Sequence, residues 1–247
     1  CVSKITEDQM NDLDLSAWQI ALNGAEPVRA ETVRDFYQKF KVVGLRETTM
    51  YPAYGLAEAT LVVSAGLPQA IPEILNLDSS DLEKGLIKIS PGSSGTREIV
   101  ACGQALDDTI IALADYKVEP KDNAEADCVA GSSAGDNSIG EIWVSGPGVG
   151  SGYWENEEAT FRTFEATLKE HPGRKFLRTG DLGFVHDGAL YITGRKKDLI
   201  IIRGANHYPQ DIEWTVEQAH KALKAGCGAA FSITVDGEEK LIVVYEL

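Results

Sequence analysis

The spacing of hydrophobic residues changes along the chain between helical and strand-like, which predicts a mixed α/β (α+β) fold. Four apolar positions near the N-terminus recur at helical spacing: Ala30, Val33, Tyr37 and Phe40. They predict the buried face of a helix that begins at Pro27, because proline suits the first helical position. Short apolar runs predict strands at residues 18–22 and 109–114, and residues 140–154 predict a strand, a glycine-rich turn and an aromatic pair.

The last third of the chain predicts a series of short strands and one helix. Residues 184–193 predict two strands joined by the turn His186-Asp187-Gly188. A run rich in β-branched residues at 199–202 predicts a buried strand, and residues 204–210 predict a loop. Within that loop, Pro209 suits the first position of the following helix.

This helix is predicted to bury one apolar face and to end near Gly226. The face consists of Ile212, Val216, Ala219 and Leu223. Two final strands are predicted on either side of Asp236-Gly237, at residues 229–235 and 241–246.

Three stretches are more polar than the rest of the chain. Residues 1–15 predict a helix followed by a polar connector. Residues 77–103 are polar and rich in glycine, except for a small apolar island within residues 86–89. Residues 122–138 are mostly small or acidic and predict an exposed, mobile loop.

Composition and charge limit the classes of partner. The 247 residues allow one large domain or two small ones, and 43% hydrophobic with 25% charged residues is ordinary for a globular protein. The net charge of −15 argues against nucleic acid and against an anionic membrane surface, which favour basic partners. It does not argue against ATP, because a local basic turn can bind phosphate. We expect no membrane span and no signal peptide, and we expect a piece of a longer protein, since the chain begins with Cys1.

The four cysteines have no spacing typical of a metal site or of a redox pair. They are Cys1, Cys102, Cys128 and Cys227, and no two of them form a CxxC motif. This usage is typical of reduced thiols, so the cysteines favour a cytoplasmic protein.

The densest group of chemically useful residues lies between residues 177 and 213. It contains the tetrapeptide Arg178-Thr179-Gly180-Asp181, in which the glycine lets the backbone come close to a ligand. The cationic turn at residues 194–198, GRKKD, then interrupts the apolar pattern. Each piece alone is typical of a solvated surface turn, but their order and spacing are far more specific.

These motifs resemble those of the adenylate-forming superfamily, which contains acyl-CoA synthetases, peptide-synthetase adenylation domains, luciferases and fatty acyl-AMP ligases. The resemblance covers nearly the whole chain in the family's order: NGAEP at residues 23–27, YGLAE at 54–58, the segment 140–154, RTGD at 178–181 and GRKKD at 194–198. The glycine-rich GPGVGSG at 146–152 lacks the GK[ST] ending of a phosphate-binding loop, and we interpret it as a structural turn.

The resemblance implies a role for each motif residue. Asp181 would hold both ribose hydroxyls of ATP, Arg195 would reach the nucleotide, and Lys197 would be the hinge of the small domain. Asn23, Gly24, Ala25 and Glu26 would form the adenine loop. Tyr54 would offer adenine a flat face and Gly55 a close backbone approach, while Glu58 would be a catalytic Mg²⁺ ligand.

The resemblance is strongest to fatty acyl-AMP ligases, since NGAEP and the run KDLIIIRGANHYPQDIE are close to forms common there. Residues 82–102 stand where those ligases carry an insertion that packs against the small domain and restricts its rotation. The implied partners are a fatty acid and the phosphopantetheine of an acyl carrier protein or polyketide synthase.

The implied domain organisation divides the chain into four segments. The end of the large α/β subdomain would be residues 1–62, a β-rich subdomain 63–194, a hinge 195–198, and the start of the small C-terminal domain 199–247. The family's first phosphate loop and its catalytic lysine near the C-terminus are both absent, so this stretch would carry about half of an ATP site. Two alternatives remain open: an acyl-CoA synthetase of the same superfamily, and a non-catalytic module that binds acyl ligands or partners.

Overall fold

The computed structural model describes residues 1–92, 95–117, 121–123, 128–131, 133–135, 137–235 and 238–247, with only the backbone described at 121–123 and 128–131. Within these ranges the α-helices are α1 (Glu7–Met10), α2 (Ala30–Phe40), α3 (Ser79–Leu82), α4 (Glu157–Phe164) and α5 (Pro209–Ala219). Short 3₁₀ helices lie at Lys41–Val43, Glu47–Thr49, Ala57–Ala59 and Lys196–Asp198. The strands are β1 (Ala21–Asn23), β2 (Met50–Tyr54), β3 (Ser64–Ala65), β4 (Ile74–Asp78), β5 (Thr96–Val100), β6 (Gln104–Ala105), β7 (Ile110–Ala114), β8 (Lys121–Asn123), β9 (Cys128–Gly131), β10 (Gly140–Ser145), β11 (Ala166–Leu168), β12 (Leu177–His186), β13 (Ala189–Arg195), β14 (Ile200–Ile202), β15 (Ala205–His207), β16 (Gly228–Val235) and β17 (Glu238–Tyr245).

A four-stranded antiparallel sheet, ordered β13-β12-β10-β7, forms the centre of the fold. Every residue of β10 is buried, because Ile142 and Val144 belong to one apolar cluster and Trp143 belongs to another. Ile142 and Trp143 are fully buried at neighbouring positions and therefore point to opposite faces. This mixed architecture confirms the predicted fold class.

A second sheet, ordered β1-β2-β3-β6, brings two of the motifs together. Strands β1 and β2 are parallel, with Asn23 opposite Pro52. Their carboxyl ends therefore lie side by side, which is where open α/β sheets bind ligands. The NGAEP loop follows β1 and the YGLAE segment follows β2, so both motifs reach the same edge.

The N-terminal elements correct three predictions. The strand predicted at 18–22 is β1, which pairs with β2 alone among the described strands and leaves Leu22 63% exposed instead of buried. The helix predicted to begin at Pro27 begins at Ala30, because Arg29 is still extended; Val28 packs onto the apolar cluster beneath α2. The helix predicted within residues 1–15 is the single turn α1.

Residues 77–103 have more structure than their polarity predicted. Strands β4 and β5 pair antiparallel, and Asp78 caps α3 by accepting hydrogen bonds from the backbone N–H groups of Ser80 and Asp81. Leu77 and Leu82 are buried in the same apolar cluster as β12 and β13. The loop predicted at 122–138 is also partly wrong, since β8 and β9 pair there; the rest of that prediction lies largely outside the described residues.

The C-terminal third confirms most of its predicted elements. Strands β12 and β13 form the predicted hairpin, and Asp187 and Gly188 both have positive φ, as a two-residue type I′ turn requires. Pro209 is the first residue of α5, as predicted. The predicted final strands are β16 and β17, while their turn at Asp236-Gly237 lies outside the described residues.

Four details of this third differ from prediction. The run predicted as a buried strand at 199–202 forms β14 but leaves Ile201 52% exposed. Helix α5 has no buried residue, so the predicted apolar face of Ile212, Val216, Ala219 and Leu223 is only partly covered, and Ala219 is exposed. The predicted loop 204–210 contains β15, which pairs with β14. Helix α5 ends at Ala219 instead of near Gly226, because His220 is extended, and the carboxylate of Glu217 accepts the Gly226 N–H. In the described part of the chain, no helix is long and apolar enough to cross a membrane.

Candidate functional site

A pocket of about 620 Å³ lies where the central hairpin, the β1–β2 edge and the last fifty residues meet. It gathers four predicted residues from the two loops, Ala25, Glu26, Tyr54 and Gly55. It also gathers the three predicted residues of the hairpin and hinge: Asp181, Arg195 and Lys197. Three predicted residues, Asn23, Gly24 and Glu58, are not part of its wall.

Asp181 is the most constrained charged group in the pocket. Its side chain is 8% exposed, and each carboxylate oxygen accepts a hydrogen bond. Oδ1 accepts from Arg195 Nε at 2.8 Å, and Oδ2 accepts from the Tyr54 hydroxyl at 2.7 Å. A carboxylate has about four lone-pair positions, so each oxygen can accept one further donor from a ligand.

An interruption in the β10–β12 ladder directs Asp181 towards the pocket. Between the paired positions Glu141–Leu182 and Trp143–Arg178, strand β12 has three residues where β10 has one. Thr179 Oγ1 donates to the Ile142 carbonyl, and Gly180 adopts a φ of 72°. A Cβ at Gly180 would meet nothing within 4 Å, so glycine serves the backbone conformation here and not a close approach.

Arg195 stands directly opposite Asp181 in the β12–β13 ladder. The pKa of its guanidinium is raised by the charge of Asp181 and by the hydrogen bond between them. Lys197, two residues later, is in the 3₁₀ turn Lys196–Asp198 and also reaches the pocket. The pocket therefore has two cationic side chains on one wall.

The NGAEP loop places only its second half in the pocket. Gly24 packs against β2, where a Cβ would lie 2.6 Å from the Ala53 carbonyl oxygen, so any side chain would push the loop away. Ala25 then adopts a φ of 70°, a left-handed conformation that is strained for alanine. Strain of this kind is typical of loops shaped for a ligand.

Tyr54 and Gly55 end β2 at the pocket wall. Tyr54 is 8% exposed, and burial together with the charge of Asp181 raises the pKa of its hydroxyl. A Cβ at Gly55 would lie 1.3 Å from the carbonyl oxygen of Leu61. The group that approaches Gly55 closely is thus the Leu61 carbonyl of the same chain.

Glu58 is held by the glycine-rich turn instead of by the pocket. Its Oε1 accepts a hydrogen bond from the Tyr153 hydroxyl at 2.9 Å, and its backbone carbonyl accepts from the Gly150 N–H. Thr60 Oγ1 donates to the Gly148 carbonyl. The GPGVGSG segment therefore supports the Ala57–Ala59 turn, as a structural turn would.

No group of three or more His, Cys, Asp or Glu side chains among the described residues could hold a metal ion. Any Mg²⁺ bound through Glu58 would thus need most of its oxygen ligands from phosphate and water, which is its usual manner of binding to nucleotides.

Several pocket residues were missed by sequence reasoning. Gln210 and Glu213 come from α5, and Phe231 and Ser232 come from β16. Cys102 also lines the pocket, and burial raises the pKa of its thiol to about 12. No local motif marks these residues, because they reach the pocket only through long-range packing.

Residues 82–102 make direct contacts with the segment that follows the predicted hinge at 195–198. Arg97 Nε lies 3.1 Å from Asp211 Oδ2, and the guanidinium carbon lies 4.6 Å from the centre of the Tyr208 ring. Arg97 Nη2 also donates to the Thr193 carbonyl at 3.1 Å, and the Asn206 N–H donates to the Glu83 carbonyl. Burial raises the pKa of Asp211 against the lowering effect of Arg97. The Arg97 side chain is 17% exposed and that of Asp211 is 44% exposed, so this ion pair is only partly shielded from water.

Comparison with known proteins gives a consistent set of relatives. The family model described as "AMP-binding enzyme" matches residues 2–154. The medium-chain-fatty-acid–[acyl-carrier-protein] ligase JamA of Moorena producens is 44% identical over 100% of this chain and 40% of its own length. The long-chain-fatty-acid–AMP ligase FadD32 of Mycobacterium marinum is 37% identical over 93% of this chain and 36% of its own.

Solved structures agree with these sequences. One from a study of fatty acyl-adenylate ligases of E. coli and L. pneumophila has a TM-score of 0.81 at 34% identity, over 98% of this chain and 40% of that one. An L. pneumophila fatty acyl-adenylate ligase in complex with acyl adenylate and pyrophosphate has a TM-score of 0.71 at 40% identity, over 99% and 41%. This chain spans about two fifths of the length of these relatives. It belongs to the AMP-binding enzyme family and has part of the fold of the adenylate-forming enzymes.

Proposed function

We propose that this chain forms the nucleoside side of the active site of a fatty acyl-AMP ligase. The observation that carries the proposal is Asp181, a buried carboxylate oriented by two donors at the edge of a pocket that can accept a ribose. The activities for which the relatives are named, fatty acid–AMP ligase and fatty acid–carrier protein ligase, support the same chemistry.

The proposed reaction has two steps. A fatty carboxylate attacks the α-phosphorus of ATP and pyrophosphate leaves, giving the acyl-adenylate. A phosphopantetheine thiol of a carrier protein then attacks the acyl carbon, and AMP leaves. Asp181 would hold the ribose, Arg195 and Lys197 would offset negative charge, and Tyr54 would contact adenine.

Glu58 is proposed as a ligand of Mg²⁺ together with phosphate oxygens. Its hydrogen bond to Tyr153 holds the carboxylate in place, and hard oxygen donors suit this ion. When bound, the ion would neutralise charge that develops on the leaving pyrophosphate. Asn23 and Gly24 would act by shaping the adenine loop, and a cytoplasmic location remains a prediction.

The domain organisation is proposed as predicted, with residues 195–198 as the hinge between residues 63–194 and the small domain 199–247. The contacts of Arg97 with Tyr208 and Asp211 support restricted rotation, because they join residues 82–102 to the segment beyond the hinge. Restricted rotation favours a carrier-bound thiol over free CoA and distinguishes this proposal from an acyl-CoA synthetase.

The test is exchange of labelled pyrophosphate into ATP by the full-length protein, followed by acyl transfer to a phosphopantetheinylated carrier protein or to CoA. We expect exchange that depends on a medium- or long-chain fatty acid, and transfer to the carrier protein only. Efficient formation of acyl-CoA would instead favour the acyl-CoA synthetase, and absence of exchange with any fatty acid would favour a non-catalytic binding module.

A further inference from the structure

The hydroxyl of Tyr54 donates to the carboxylate of Asp181, whereas the contact proposed with adenine uses only the face of the ring. Its distance to Asp181 Oδ2 is 2.7 Å, and both side chains are buried. Burial and the charge of Asp181 raise the pKa of Tyr54, so the hydroxyl remains a donor throughout the pH range of an assay. A phenylalanine would offer adenine the same face but no such donor.

Asp181 is therefore held from two independent directions. Arg195 reaches Oδ1 from the neighbouring strand β13, and Tyr54 reaches Oδ2 from β2, which belongs to another sheet. With both oxygens fixed, the carboxylate cannot rotate about its last bond without losing a charge-assisted hydrogen bond. Its remaining lone pairs then point in set directions, which suits two adjacent hydroxyl donors.

We propose that Tyr54 is a positioning residue, whose hydroxyl acts through Asp181 to make the site selective for a nucleotide with both ribose hydroxyls. This inference rests on the proposed function, because it assigns a selectivity to the same site. The ring of Tyr54 and its hydroxyl have separate tasks, one towards the base and one towards the sugar.

The selectivity follows from the entropic cost of orienting the Asp181 carboxylate for the ribose hydroxyls. A ligand with both hydroxyls donates one hydrogen bond to each oxygen of a carboxylate that is already oriented, so little freedom is lost on binding. A ligand without them leaves Asp181 dehydrated and without those donors. When Tyr54 loses its hydroxyl, the carboxylate must be ordered at the moment of binding, so only the ligand with ribose hydroxyls loses affinity.

The experiment compares wild type with Tyr54→Phe in the full-length protein, using ATP and 2′,3′-dideoxy-ATP in pyrophosphate exchange. We expect Tyr54→Phe to raise KM for ATP roughly fivefold, as for one hydrogen bond, with kcat changed less than about twofold. For dideoxy-ATP, KM should be the same in both proteins. Tyr51→Phe, on the same strand but outside the pocket wall, is the matched control and should change neither KM.

A binding measurement makes the result independent of turnover. Calorimetric Kd values of wild type and Tyr54→Phe for AMP and for 2′,3′-dideoxy-AMP should show the same pattern, with thermal melting to verify the fold. An equal loss for both nucleotides, or no loss for either, overturns the role of the hydroxyl. If wild type shows no exchange but this pattern of Kd values holds, the inference stands and the proposed catalytic function fails.

Discussion

Asp181 is the residue on which the pocket depends most, because three elements converge on one buried carboxylate. Strand β12 delivers it through a ladder interruption, while β2 and β13 each supply a donor. Because the backbone position and both carboxylate oxygens of Asp181 are fixed, no other side chain can make the same contacts. Its loss should therefore be visible in nucleotide binding before it is visible anywhere else.

Asp181→Ala in the full-length protein should raise KM for ATP by tenfold or more. Each charge-assisted hydrogen bond contributes roughly 1.5–3 kcal/mol, and the variant loses those to the ribose. The measurement is fatty-acid-dependent pyrophosphate exchange as a function of ATP concentration. Asp35→Ala, at an exposed position of α2, is the control; unchanged ATP dependence in Asp181→Ala would remove the ribose assignment.

Cys102 should be unreactive in the folded protein. Its thiol is buried and its pKa is about 12, so almost no thiolate exists at pH 8. We expect iodoacetamide to label the exposed Cys1 quickly and Cys102 only after denaturation, as mapped by peptide mass spectrometry. Rapid labelling of Cys102 under native conditions would contradict the packing of this pocket wall.

The same thiol predicts a pH dependence of stability. Below pH 9 the thiol is protonated in both states, and above it only the unfolded chain ionises until the pH approaches 12. Since the unfolded state then binds fewer protons, this group lowers the free energy of unfolding as pH rises from 9 towards 12. Chemical denaturation of wild type and Cys102→Ala should show a smaller pH effect in the variant over that window.

The residues of the candidate site could be predicted from the sequence where they belong to one local motif. Asp181 and Arg195 lie 14 residues apart and face each other, because a hairpin with a two-residue turn brings their strands together and a one-residue register shift between Leu182 and Gly183 aligns the pair. Phe231 and Ser232 reach the same pocket from β16, through packing that no periodicity specifies. The strongest predictions were therefore local, and the missed residues are those brought in by distant elements.

At the scale of elements, the important contact is between β5 and the start of α5. Arg97 is 17% exposed and touches Asp211, Tyr208 and the Thr193 carbonyl at once. Gln210 donates to the same carbonyl at 3.0 Å. Any rotation of the segment beyond the proposed hinge would have to separate these groups, so their contact would resist that rotation.

Arg97→Ala should therefore allow some acyl-CoA to form from fatty acid, ATP and CoA, with pyrophosphate exchange within about twofold of wild type. The physical reason is loss of the ion pair, the ring contact and a backbone hydrogen bond in a partly buried place. The readout is acyl-CoA by mass spectrometry. Arg34→Ala, which breaks an exposed ion pair between α2 and β5, is the matched control and should form none.

Lys197→Pro should impair acyl transfer to the carrier protein more than adenylation. Proline fixes φ in the 3₁₀ turn Lys196–Asp198, where rotation would be absorbed by a few dihedral angles. Single-turnover measurements of the two half-reactions separate them, and Lys197→Ala controls for loss of the charge. Equal loss of both half-reactions in the proline variant would show damage to the whole junction.

Element boundaries were less predictable than element types. The run 18–22 has the composition of a buried strand, yet Leu22 is exposed because β1 is an edge strand with one partner among those described. Strand β5 was missed because its Thr-Arg-Glu start looks solvated, whereas Arg97 is held by Asp211 and Tyr208. In both cases the neighbouring element decided the outcome, and that neighbour is distant in sequence.

At the scale of the whole molecule, the described pocket holds the groups proposed to bind a nucleoside, but Arg195 and Lys197 are the only Lys or Arg residues among those that line it. We expect this 247-residue chain alone to show no fatty-acid-dependent pyrophosphate exchange, while the full-length protein does. Positioning and charge stabilisation supply almost all catalysis in such transfers. Exchange by the chain alone would mean that groups within residues 1–247 suffice.

The position of Arg195 would tie the proposed sugar recognition to the orientation of the segment beyond the proposed hinge. It is the last residue of β13, and the 3₁₀ turn proposed as the hinge begins at the next residue. If a ribose strengthens the Asp181–Arg195 bond, it biases the dihedral angles that follow. A second ligand that holds the last fifty residues in the orientation that nucleotide favours would then raise the affinity for nucleotide. By thermodynamic reciprocity, nucleotide would raise the affinity for that second ligand by the same factor. Under the proposed function, a carrier protein that favours one orientation and AMP would be linked ligands, each changing the other's affinity without sharing a contact.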